Sequence, residues 1–298
     1  MEYHVPVLLK ESVDLLDVKR GGVYVDATFG GGGHSREILK RLDREGALYG
    51  FDQDQEAAEN IPESSLFHFL PYNFREMQRM LRFEGVPSVD GVLADLGVSS
   101  HQLDEATRGF SYRFDAPLDM RMNRETGPTA ADILNKYDAV ELQRVLGSYG
   151  EVRNAKTLAE ALVEARHNKP FALISDLLKI CEEKKIGEKT RYLSQVFQAL
   201  RIEVNDEMGA LKALLQQALD VLKPGGRLVV ISYHSLEDRL AKHFLKTGRF
   251  DGALEQDFYG NIRRPFQLVT KKSVEPTKEE IQSNGRARSA KLRAGQKI

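Results

Sequence analysis

Short β-rich runs alternate with stretches of helical spacing through the first hundred residues. Strands are predicted at residues 23–28, 47–52, 67–70 and 91–96, and helices at residues 35–42 and 77–83. Strands separated by helices at this spacing predict βαβ units and a mainly parallel sheet.

The pattern changes after residue 104. Residues 104–128 contain turn formers, charges and aromatics without a sustained period, and from Ala130 to about Ala218 apolar residues recur every three or four positions, as in amphipathic helices. A stop signal, Lys223-Pro224-Gly225-Gly226, ends this block. Further strands are predicted at 227–232 and, as the last one, at 266–270. The sequence therefore predicts an α/β domain with a helical block inserted between its fourth and fifth strands.

Composition supports a soluble globular protein. The chain has 298 residues, 41% of them hydrophobic and 29% charged, which is enough for a sizeable core. No run approaches the roughly 18 apolar residues of a membrane span, and the first residues lack the basic-then-apolar pattern of a secretory signal. The single cysteine, Cys181, cannot form an internal disulfide. We therefore expect a cytoplasmic protein with no membrane partner.

The net charge of −1 conceals an uneven distribution of charge. From Arg263 onward there are ten Lys or Arg and three Asp or Glu, whereas the preceding 262 residues carry 33 basic and 41 acidic side chains. A basic tail on an acidic body predicts contact with a polyanion. The alternative is a solvated and partly disordered terminus.

Four consecutive glycines, Gly30-Gly31-Gly32-Gly33, lie between the first predicted strand and a helix. Glycines there let the backbone approach a ligand closely, and the start of the helix offers N–H groups. No Gly-Lys-Ser/Thr follows, so the motif is not a P-loop. A flexible turn is the alternative interpretation.

Asp52 makes the glycine loop more informative. It ends the second predicted strand, 22 residues after Gly30, where dinucleotide-type folds place an acid on ribose hydroxyls. A carboxylate can accept two hydrogen bonds from a vicinal diol. Two ligand classes fit this arrangement: a nicotinamide or flavin dinucleotide, and S-adenosylmethionine.

Two features favour S-adenosylmethionine. Residues 222–228, which enter a strand after a long helix, look like the fifth-strand approach of class I methyltransferases. Asp95 closes the fourth predicted strand, where amino-group methyltransferases keep an acidic residue facing the methyl donor. In an open α/β sheet such strand ends line the ligand crevice.

The chain resembles the MraW/RsmH family of bacterial methyltransferases through nearly its whole length. Matching blocks run in order from residues 4–9 to residues 286–293, and three are the most specific: Gly33-His34-Ser35, Leu118-Asp119-Met120-Arg121-Met122 and His234-Ser235-Leu236-Glu237-Asp238-Arg239. The family acts on N4 of a cytosine in the decoding region of small-subunit (16S) ribosomal RNA. The resemblance therefore implies an S-adenosylmethionine-dependent enzyme with a class I, Rossmann-like sheet, and the small ribosomal subunit as its partner.

The pattern and the resemblance together predict a discontinuous methyltransferase domain at 1–103 and 208–298, with a basic tail at about 278–298. Residues 104–207 are predicted to form an inserted, mainly α-helical substrate-recognition domain. The resemblance also implies contacts with the methyl donor at its methionine end, its ribose and its adenine. The cofactor-binding candidates, in chain order, are Gly32, Gly33, His34, Asp52, Phe74, Asp95 and Gln102.

Asp95 and His234 are the candidate catalytic residues. The N4 lone pair of cytosine is delocalised into the ring, so an acceptor for one N–H would localise it and later help remove the proton. We expect this acceptor to be Asp95 or a backbone carbonyl beside it, and the alternative is that Asp95 only holds the donor. His234 has either a structural role or, as the family block favours, a place in the substrate pocket beside Ser232 and Glu237.

Arginines and aromatics supply the remaining candidates for binding RNA. Arg108, Phe110 and Arg121 form a mixture suited to stacking on unpaired bases and meeting phosphates, although a packed loop over the cofactor is the alternative. Arg286 and Arg288 would anchor backbone phosphates. Because N4 is engaged when cytosine is paired, the target must be unpaired or flipped out.

Other function classes stay open. A nicotinamide-dependent oxidoreductase could use the same glycine loop, and a non-enzymatic RNA-binding protein would explain the basic tail but not the donor pocket. A methyltransferase acting on another RNA, a protein or a small molecule also fits the residues. We expect no metal, since no His/Cys cluster has zinc-like spacing, and a monomer or homodimer.

Overall fold

The computed structural model describes residues 6–254, 256 and 264–298, so the start of the block at residues 4–9 and Arg263 lie outside the described residues. The chain divides into two compact units, one formed by Met1–Gly97 with Gly209–Ile298 and the other by Val98–Met208. The predicted insertion at 104–207 falls within the second unit. Among the described residues, no helix is both long and apolar enough to cross a membrane.

A sheet forms the centre of the first unit. Its strands follow the order β3-β2-β1-β4-β5-β7-β6. Neighbouring strands from β3 to β5 are parallel, whereas β7 runs antiparallel to both β5 and β6. The strands are β1 (Val23–Asp26), β2 (Ala47–Phe51), β3 (Phe67–Leu70), β4 (Val89–Asp95), β5 (Leu222–Ser232), β6 (Phe266–Leu268) and β7 (Lys291–Lys297).

The α-helices of both units follow one another in chain order. They are α1 (Leu9–Leu16), α2 (Gly33–Leu39), α3 (Met77–Phe83), α4 (Ser100–Asp104), α5 (Ala130–Lys136), α6 (Ala139–Gly150), α7 (Ala155–Asn168), α8 (Ile174–Lys184), α9 (Lys189–Asn205), α10 (Glu207–Val221), α11 (Ser235–Thr247) and α12 (Lys278–Ser283). Helices α1, α4, α11 and α12 were not predicted from the sequence.

The predicted fold class is confirmed by the strand order. The order β3-β2-β1-β4-β5 is that of a doubly wound, Rossmann-like sheet, and the direction of winding reverses between β1 and β4. These two strands are direct neighbours, with Asp26 opposite Leu93. Ligands of open α/β sheets bind outside the carboxyl ends of the strands at such a switch point. Asp26 and Asp95, the last residues of β1 and β4, therefore lie at the position where a ligand is expected.

The central strands are apolar because the sheet is covered on both faces. Val25 in β1 and Leu93 in β4 are fully buried, as is Val229 in β5. Leu16 of α1 and Ile38 of α2 are buried in the same core. This core fixes the ends of the strands and therefore the positions of the loops that follow them.

The C-terminal segment corrects the sequence analysis. Residues 266–270 were predicted to contain the last strand, but Lys291–Lys297 forms β7 and pairs with β5 from Arg227↔Gln296 to Ser232↔Lys291. Leu292 and Ala294 are fully buried in the sheet. The alternative of a disordered terminus is therefore wrong for these residues. Their alternation of apolar and polar side chains is a strand signal, which the high charge of the segment concealed.

Basic residues of β7 bind groups within the fold. The Arg293 guanidinium donates from Nε and Nη2 to the Asp238 carboxylate of α11, at 2.6 and 3.1 Å. Lys297 Nζ donates to the carbonyls of Leu219 and Leu222 at 2.6 Å. A cation at the C-terminal end of a helix, here α10, satisfies carbonyls that have no helical partner. Part of the basic charge in the tail therefore stabilises the first unit.

β5 begins earlier than predicted. Leu222 pairs with Val89, and Arg227 pairs with Gly91, so the four residues between Leu222 and Arg227 bulge out of the ladder. Gly225 has φ 83°, a left-handed conformation that glycine adopts without strain. The predicted stop signal is thus a bulge near the start of the strand.

The second unit has its own apolar core, built from helices. Leu142, Val145 and Leu146 of α6 are buried in it, as their spacing predicts, and Cys181 of α8 is buried beside them. Asn205 at the end of α9 holds the loop at residues 117–122. Its side chain accepts from the Met122 N–H at 2.7 Å and donates to the carbonyl of Met120 at 2.8 Å.

Replacing Leu292 by alanine tests the place of β7 in the core. We expect Leu292→Ala to lower the free energy of unfolding by about 2–5 kcal/mol, since it removes a fully buried side chain and leaves a cavity. Lys291→Ala, at the exposed neighbouring position, is the matched control and should change it by about 0.5 kcal/mol or less. Urea unfolding of the two variants measures the difference, and equal small effects would contradict the assigned strand.

Candidate active site

The four glycines form the turn between β1 and α2. Gly32 has φ 71°, which disfavours a side chain, and a Cβ on Gly33 would lie 2.0 Å from Pro6 Cγ. No atom of the described residues lies within 4 Å of where a Gly31 Cβ would be, leaving out its own chain neighbours. The loop is therefore tightly folded on one side and open on the other, as a surface for a closely approaching ligand needs to be.

Asp52 holds the glycine loop in place. Its Oδ2 accepts from the Gly30 N–H at 2.7 Å, and its Oδ1 accepts from the Asp54 N–H at 2.8 Å. Burial raises the pKa of Asp52 to about 6, against the opposing effect of these two hydrogen bonds. Each carboxylate oxygen has a second lone pair, so the side chain can also accept from the hydroxyls of a diol.

Phe74 lies just after β3 and is half-buried. The preceding residue, Asn73, donates from Nδ2 to Gln53 Oε1 at 2.8 Å and accepts from the Arg75 N–H at 2.9 Å. Because Gln53 adjoins Asp52, these bonds tie the turn that carries Phe74 to the end of β2. Asp52 and Phe74, which are predicted to contact the ribose and the adenine, thus follow two neighbouring strands.

Asp95 is fixed at the end of β4 by two hydroxyl groups. Its N–H donates to Thr28 Oγ1 at 2.7 Å, which links the ends of β4 and β1, and its Oδ1 accepts from the Tyr233 hydroxyl at 2.7 Å. Burial raises the pKa of Asp95 to about 7; the Tyr233 bond lowers it, and the charges of Asp26 and Glu237 raise it. The side chain is 21% exposed, so a ligand can reach it.

His34 is buried beside Asp95 and remains neutral. Burial lowers the pKa of His34 to about 4. Its Nε2 lies 3.2 Å from the carbonyl of Val7. Since a carbonyl only accepts, Nε2 carries the proton and Nδ1 presents a lone pair. Nδ1 lies 3.9 Å from Asp95 Oδ2. Because the ring is neutral, His34 gives this carboxylate no positive charge.

Val7 and Leu8 lie near His34, and α12 holds Leu8 there. Glu280 Oε1 accepts from the Leu8 N–H at 2.7 Å, across 272 positions of sequence. Leu8 adjoins Val7, whose carbonyl faces His34. The hydrogen bond to Glu280 therefore holds the backbone one residue away from the carbonyl that faces His34.

Three carboxylates occupy neighbouring strand ends without a cationic partner. Asp26 is fully buried and accepts from Ser35 Oγ at 2.7 Å, and burial raises its pKa to about 6. In the described part of the chain, no Lys or Arg pairs with Asp26, Asp52 or Asp95. Buried carboxylates without a counter-charge favour binding of a cation, which lowers their pKa. The arrangement suits a positively charged ligand with a diol.

Residues after β5 form a capped turn. The Glu237 carboxylate of α11 accepts from the N–H groups of Tyr233 and His234 at 2.8 and 3.3 Å, and His234 is the residue that caps this helix. Ser232 Oγ donates to the Lys291 carbonyl at 3.2 Å. Ser232 and Glu237 are both buried. These contacts hold the turn together, and they do not place Ser232 or Glu237 on an open surface.

Three predicted residues of the second unit also make local contacts. Gln102 closes a capping box with Ser99, and its contact with the methyl donor stays a prediction. Arg108 is 1% exposed and donates from Nη2 to the carbonyls of Arg121 and Met122 at 3.3 and 3.0 Å. Phe110 belongs to the apolar core. Of the two predicted interpretations, these placements favour the packed loop over an exposed stacking surface.

The remaining predicted arginines are closer to the surface. Arg121 makes a paired contact with the Asp119 carboxylate, from Nε at 2.7 Å and from Nη2 at 3.0 Å, with its side chain 20% exposed. Arg288 is exposed and Arg286 is half-buried in the short turn after α12. Their contacts with RNA stay predictions.

Tyr233 and Thr28 were not predicted as site residues. Both hydroxyls bind Asp95, and each comes from the residue that follows a strand or lies two positions beyond it. Tyr233 directly precedes the His234–Arg239 block that carries the resemblance, and it directly follows an apolar strand. That position, beside a predicted catalytic acid on the neighbouring strand, is the signal that could have identified it.

Comparison with known proteins gives a consistent result. Residues 1–298 match the model of the MraW methylase family. The chain is 57% identical over 298 residues to the ribosomal RNA small subunit methyltransferase H of Parabacteroides distasonis, covering 99% of this chain and 98% of that protein. It is 56% identical over 298 residues to the protein of the same name from Cytophaga hutchinsonii, covering 99% of each chain.

Asp95→Asn tests the cost of the unpaired carboxylate. The pKa of Asp95 in the folded state, about 7, exceeds its usual value, so the folded state binds this proton more tightly than the unfolded state does. Ionisation of Asp95 therefore destabilises the folded state progressively as pH rises from about 4 to 7. We expect Asp95→Asn to raise the free energy of unfolding by about 2 kcal/mol at pH 8, and by much less at pH 4.5. Asp220→Asn, on the exposed face of α10, is the control. Urea unfolding at both pH values measures the effect, and destabilisation at pH 8 would contradict it.

Proposed function

Because this chain belongs to the MraW methylase family over its full length, we propose that it transfers a methyl group from S-adenosylmethionine to a cytidine in small-subunit (16S) ribosomal RNA. The acceptor atom is the exocyclic N4 of a specific cytidine in the decoding region. The observation that carries this proposal is the group of unpaired carboxylates around an open glycine loop at the switch point of the sheet. The partner is the small ribosomal subunit in the cytoplasm, and the chain acts as a monomer or homodimer.

The donor site fits a sulfonium compound with a ribose. S-adenosylmethionine supplies an electrophilic methyl group on a positively charged sulfur. Asp52 accepts hydrogen bonds from the ribose diol, and the ring of Phe74 lies against the adenine. Gly32, Gly33 and His34 contact the methionine end. The charges of Asp26 and Asp95 favour the sulfonium, because an opposite charge within a few ångströms stabilises a buried carboxylate.

A nicotinamide dinucleotide fits the same loop less well. It would bring a pyrophosphate to amides that are already engaged, since the Gly30 N–H donates to Asp52 and the Gly32 N–H donates to the Phe29 carbonyl at 2.7 Å. The unpaired carboxylates would also repel its negative charge. These two observations favour S-adenosylmethionine over the oxidoreductase alternative.

Methyl transfer depends chiefly on how the chain positions its two substrates. Holding reactants in line contributes on the order of 7–11 kcal/mol to lowering a barrier. Asp95 lies at the reacting end and accepts a hydrogen bond from one N–H of the cytosine amino group. This hydrogen bond localises the lone pair on N4, and the Asp95 carboxylate then takes the proton. Its side chain is open enough for this contact and its pKa of about 7 suits a base that works at neutral pH.

Buried residues position neighbouring groups within each unit. His234, Ser232 and Glu237 hold the turn that carries Tyr233, so His234 acts through the position of that turn. Arg108 holds the carbonyls of Arg121 and Met122 and thereby shapes the loop at residues 117–122. Phe110 supports that loop from the core of its unit.

RNA binding is supported by the relatives and by the charge of the C-terminal segment. Both relatives described above are named ribosomal RNA small subunit methyltransferases. The exposed Arg288 and its neighbour Arg286 contact backbone phosphates, and Arg121 contributes to binding the RNA. Another RNA is the alternative substrate, and it would be favoured if the small subunits in the experiment below took up no label.

Transfer of labelled methyl groups tests the proposed reaction. Small ribosomal subunits that lack the modification should yield label in N4-methylcytidine after digestion to nucleosides. Asp95→Asn should lower kcat by about 10²–10⁴-fold at saturating donor, because it removes the proton acceptor. Asp220→Asn is the control and should retain normal turnover. Label in another nucleoside or in protein would refute the assigned atom, and normal turnover of Asp95→Asn would refute its role.

The salt dependence of subunit binding tests the arginines of the tail. A deletion of residues 286–298 would remove β7, so point substitutions are needed. We expect the double variant Arg286→Ala, Arg288→Ala to bind more weakly and to reduce the slope of log K against log [salt] by about 1–2. Lys10→Ala with Lys40→Ala, at two exposed lysines of the same unit, removes equal charge and should leave the slope unchanged. An unchanged slope in the arginine variant would refute the phosphate contacts.

A further inference from the structure

Tyr233 is held in one position at the end of β5. Its hydroxyl donates to Asp95 Oδ1 at 2.7 Å, and its N–H donates to Glu237 Oε2 at 2.8 Å. A Cβ on Gly97 would lie 3.4 Å from the ring, and Gly97 has φ 94°, so both the space and the backbone there suit glycine. The phenol is thereby aimed at one oxygen of the carboxylate.

The two oxygens of Asp95 have different surroundings. Oδ1 accepts the hydrogen bond from Tyr233, whereas Oδ2 lies 3.9 Å from the unprotonated Nδ1 of His34. A neutral ring that presents a lone pair does not donate to Oδ2. The geometry therefore leaves Oδ2 as the oxygen that can accept a proton from a substrate.

We propose that Tyr233 is a positioning residue for methyl transfer, which holds Oδ1 of Asp95 so that Oδ2 accepts the proton of the amino group. This inference rests on the proposed function. As the N4 lone pair forms the new N–C bond, the electron pair of the S–C bond returns to sulfur, and the displaced N4 proton passes to Oδ2. Tyr233 keeps its own proton throughout.

The charge on Asp95 is set by opposing groups. Asp26 from β1 and Glu237 from α11 disfavour it, His34 from α2 is neutral, and the Tyr233 hydroxyl favours it. A hydrogen bond to the charged form of an acid lowers its pKa. Burial and the charges of Asp95, Glu237 and Glu280 raise the pKa of Tyr233, so its phenol stays a donor.

Removal of the hydroxyl therefore moves the pH at which Asp95 becomes a base. Activity requires the ionised carboxylate and rises with pH through its pKa. Without the Tyr233 bond that pKa increases, so the acidic limb of the pH profile moves to higher pH. A role in folding alone would lower the rate by one factor at every pH.

The test is the single-turnover rate of methyl transfer by Tyr233→Phe between pH 6 and 9, with saturating donor and small subunits. We expect the midpoint of the acidic limb to rise by about one pH unit, with a loss of about 10-fold at pH 6.5 and of about 3-fold or less at pH 9. Donor affinity at pH 9, from calorimetry, should stay within about 3-fold of the unmodified protein.

Tyr24→Phe is the matched control. Tyr24 in β1 is a buried tyrosine whose hydroxyl accepts from the Lys19 N–H at 2.7 Å, away from the carboxylates of the site. Its loss should leave the midpoint unchanged. If Tyr233→Phe does not fold, replacing Tyr233 by 3-fluorotyrosine supplies a stronger donor, and the midpoint should then fall.

The outcomes separate the two proposals. Absence of N4-methylcytidine with the unmodified protein would refute the proposed function itself. With that product formed, a uniform loss of rate and an unmoved midpoint in Tyr233→Phe, or an unmoved midpoint with 3-fluorotyrosine, would overturn the role of Tyr233. A midpoint that shifts in Tyr233→Phe and stays unchanged in the control Tyr24→Phe supports that role.

Discussion

Burial of negative charge at the switch point is the constraint on which the rest of the site depends. Asp26, Asp52 and Asp95 are held by hydroxyls and backbone N–H groups, because the described residues provide no Lys or Arg partner for them. These bonds fold the glycine loop and join the ends of β1 and β4. This buried charge lowers the free energy of unfolding, and binding of a cation raises it again. The stability of the fold and the negative charge of this edge of the sheet therefore depend on the same three side chains.

Much of the sheet and the glycine loop could be predicted from sequence, because parallel strands leave local signals. Short apolar runs ended by Asp52 and Asp95 identify both the strands and the edge where they meet. Tyr233 could not be found in this way, since its contact with Asp95 spans 138 positions and depends on the pairing of β4 with β5. Local pattern carries no information about such a contact.

Charge and aromatic character were poor guides to exposure. Arg108 and Phe110 lie in a loop rich in polar residues, where side chains are expected to face solvent, yet both are buried. The guanidinium of Arg108 donates to two carbonyls, which is how a buried cation is accommodated. In β7, the high content of basic residues likewise hid the strand pattern in the sequence. Basic residues in this chain therefore stabilise its fold as well.

The place of β7 in the sheet also protects the edge of β5. Lys291–Lys297 pairs with β5 on one side and with β6 on the other, although about 60 residues separate it from β5 in sequence. Without β7, β5 would present unpaired N–H and C=O groups, and such an edge can pair with other chains. A chain interrupted before Lys291 is therefore exposed to aggregation.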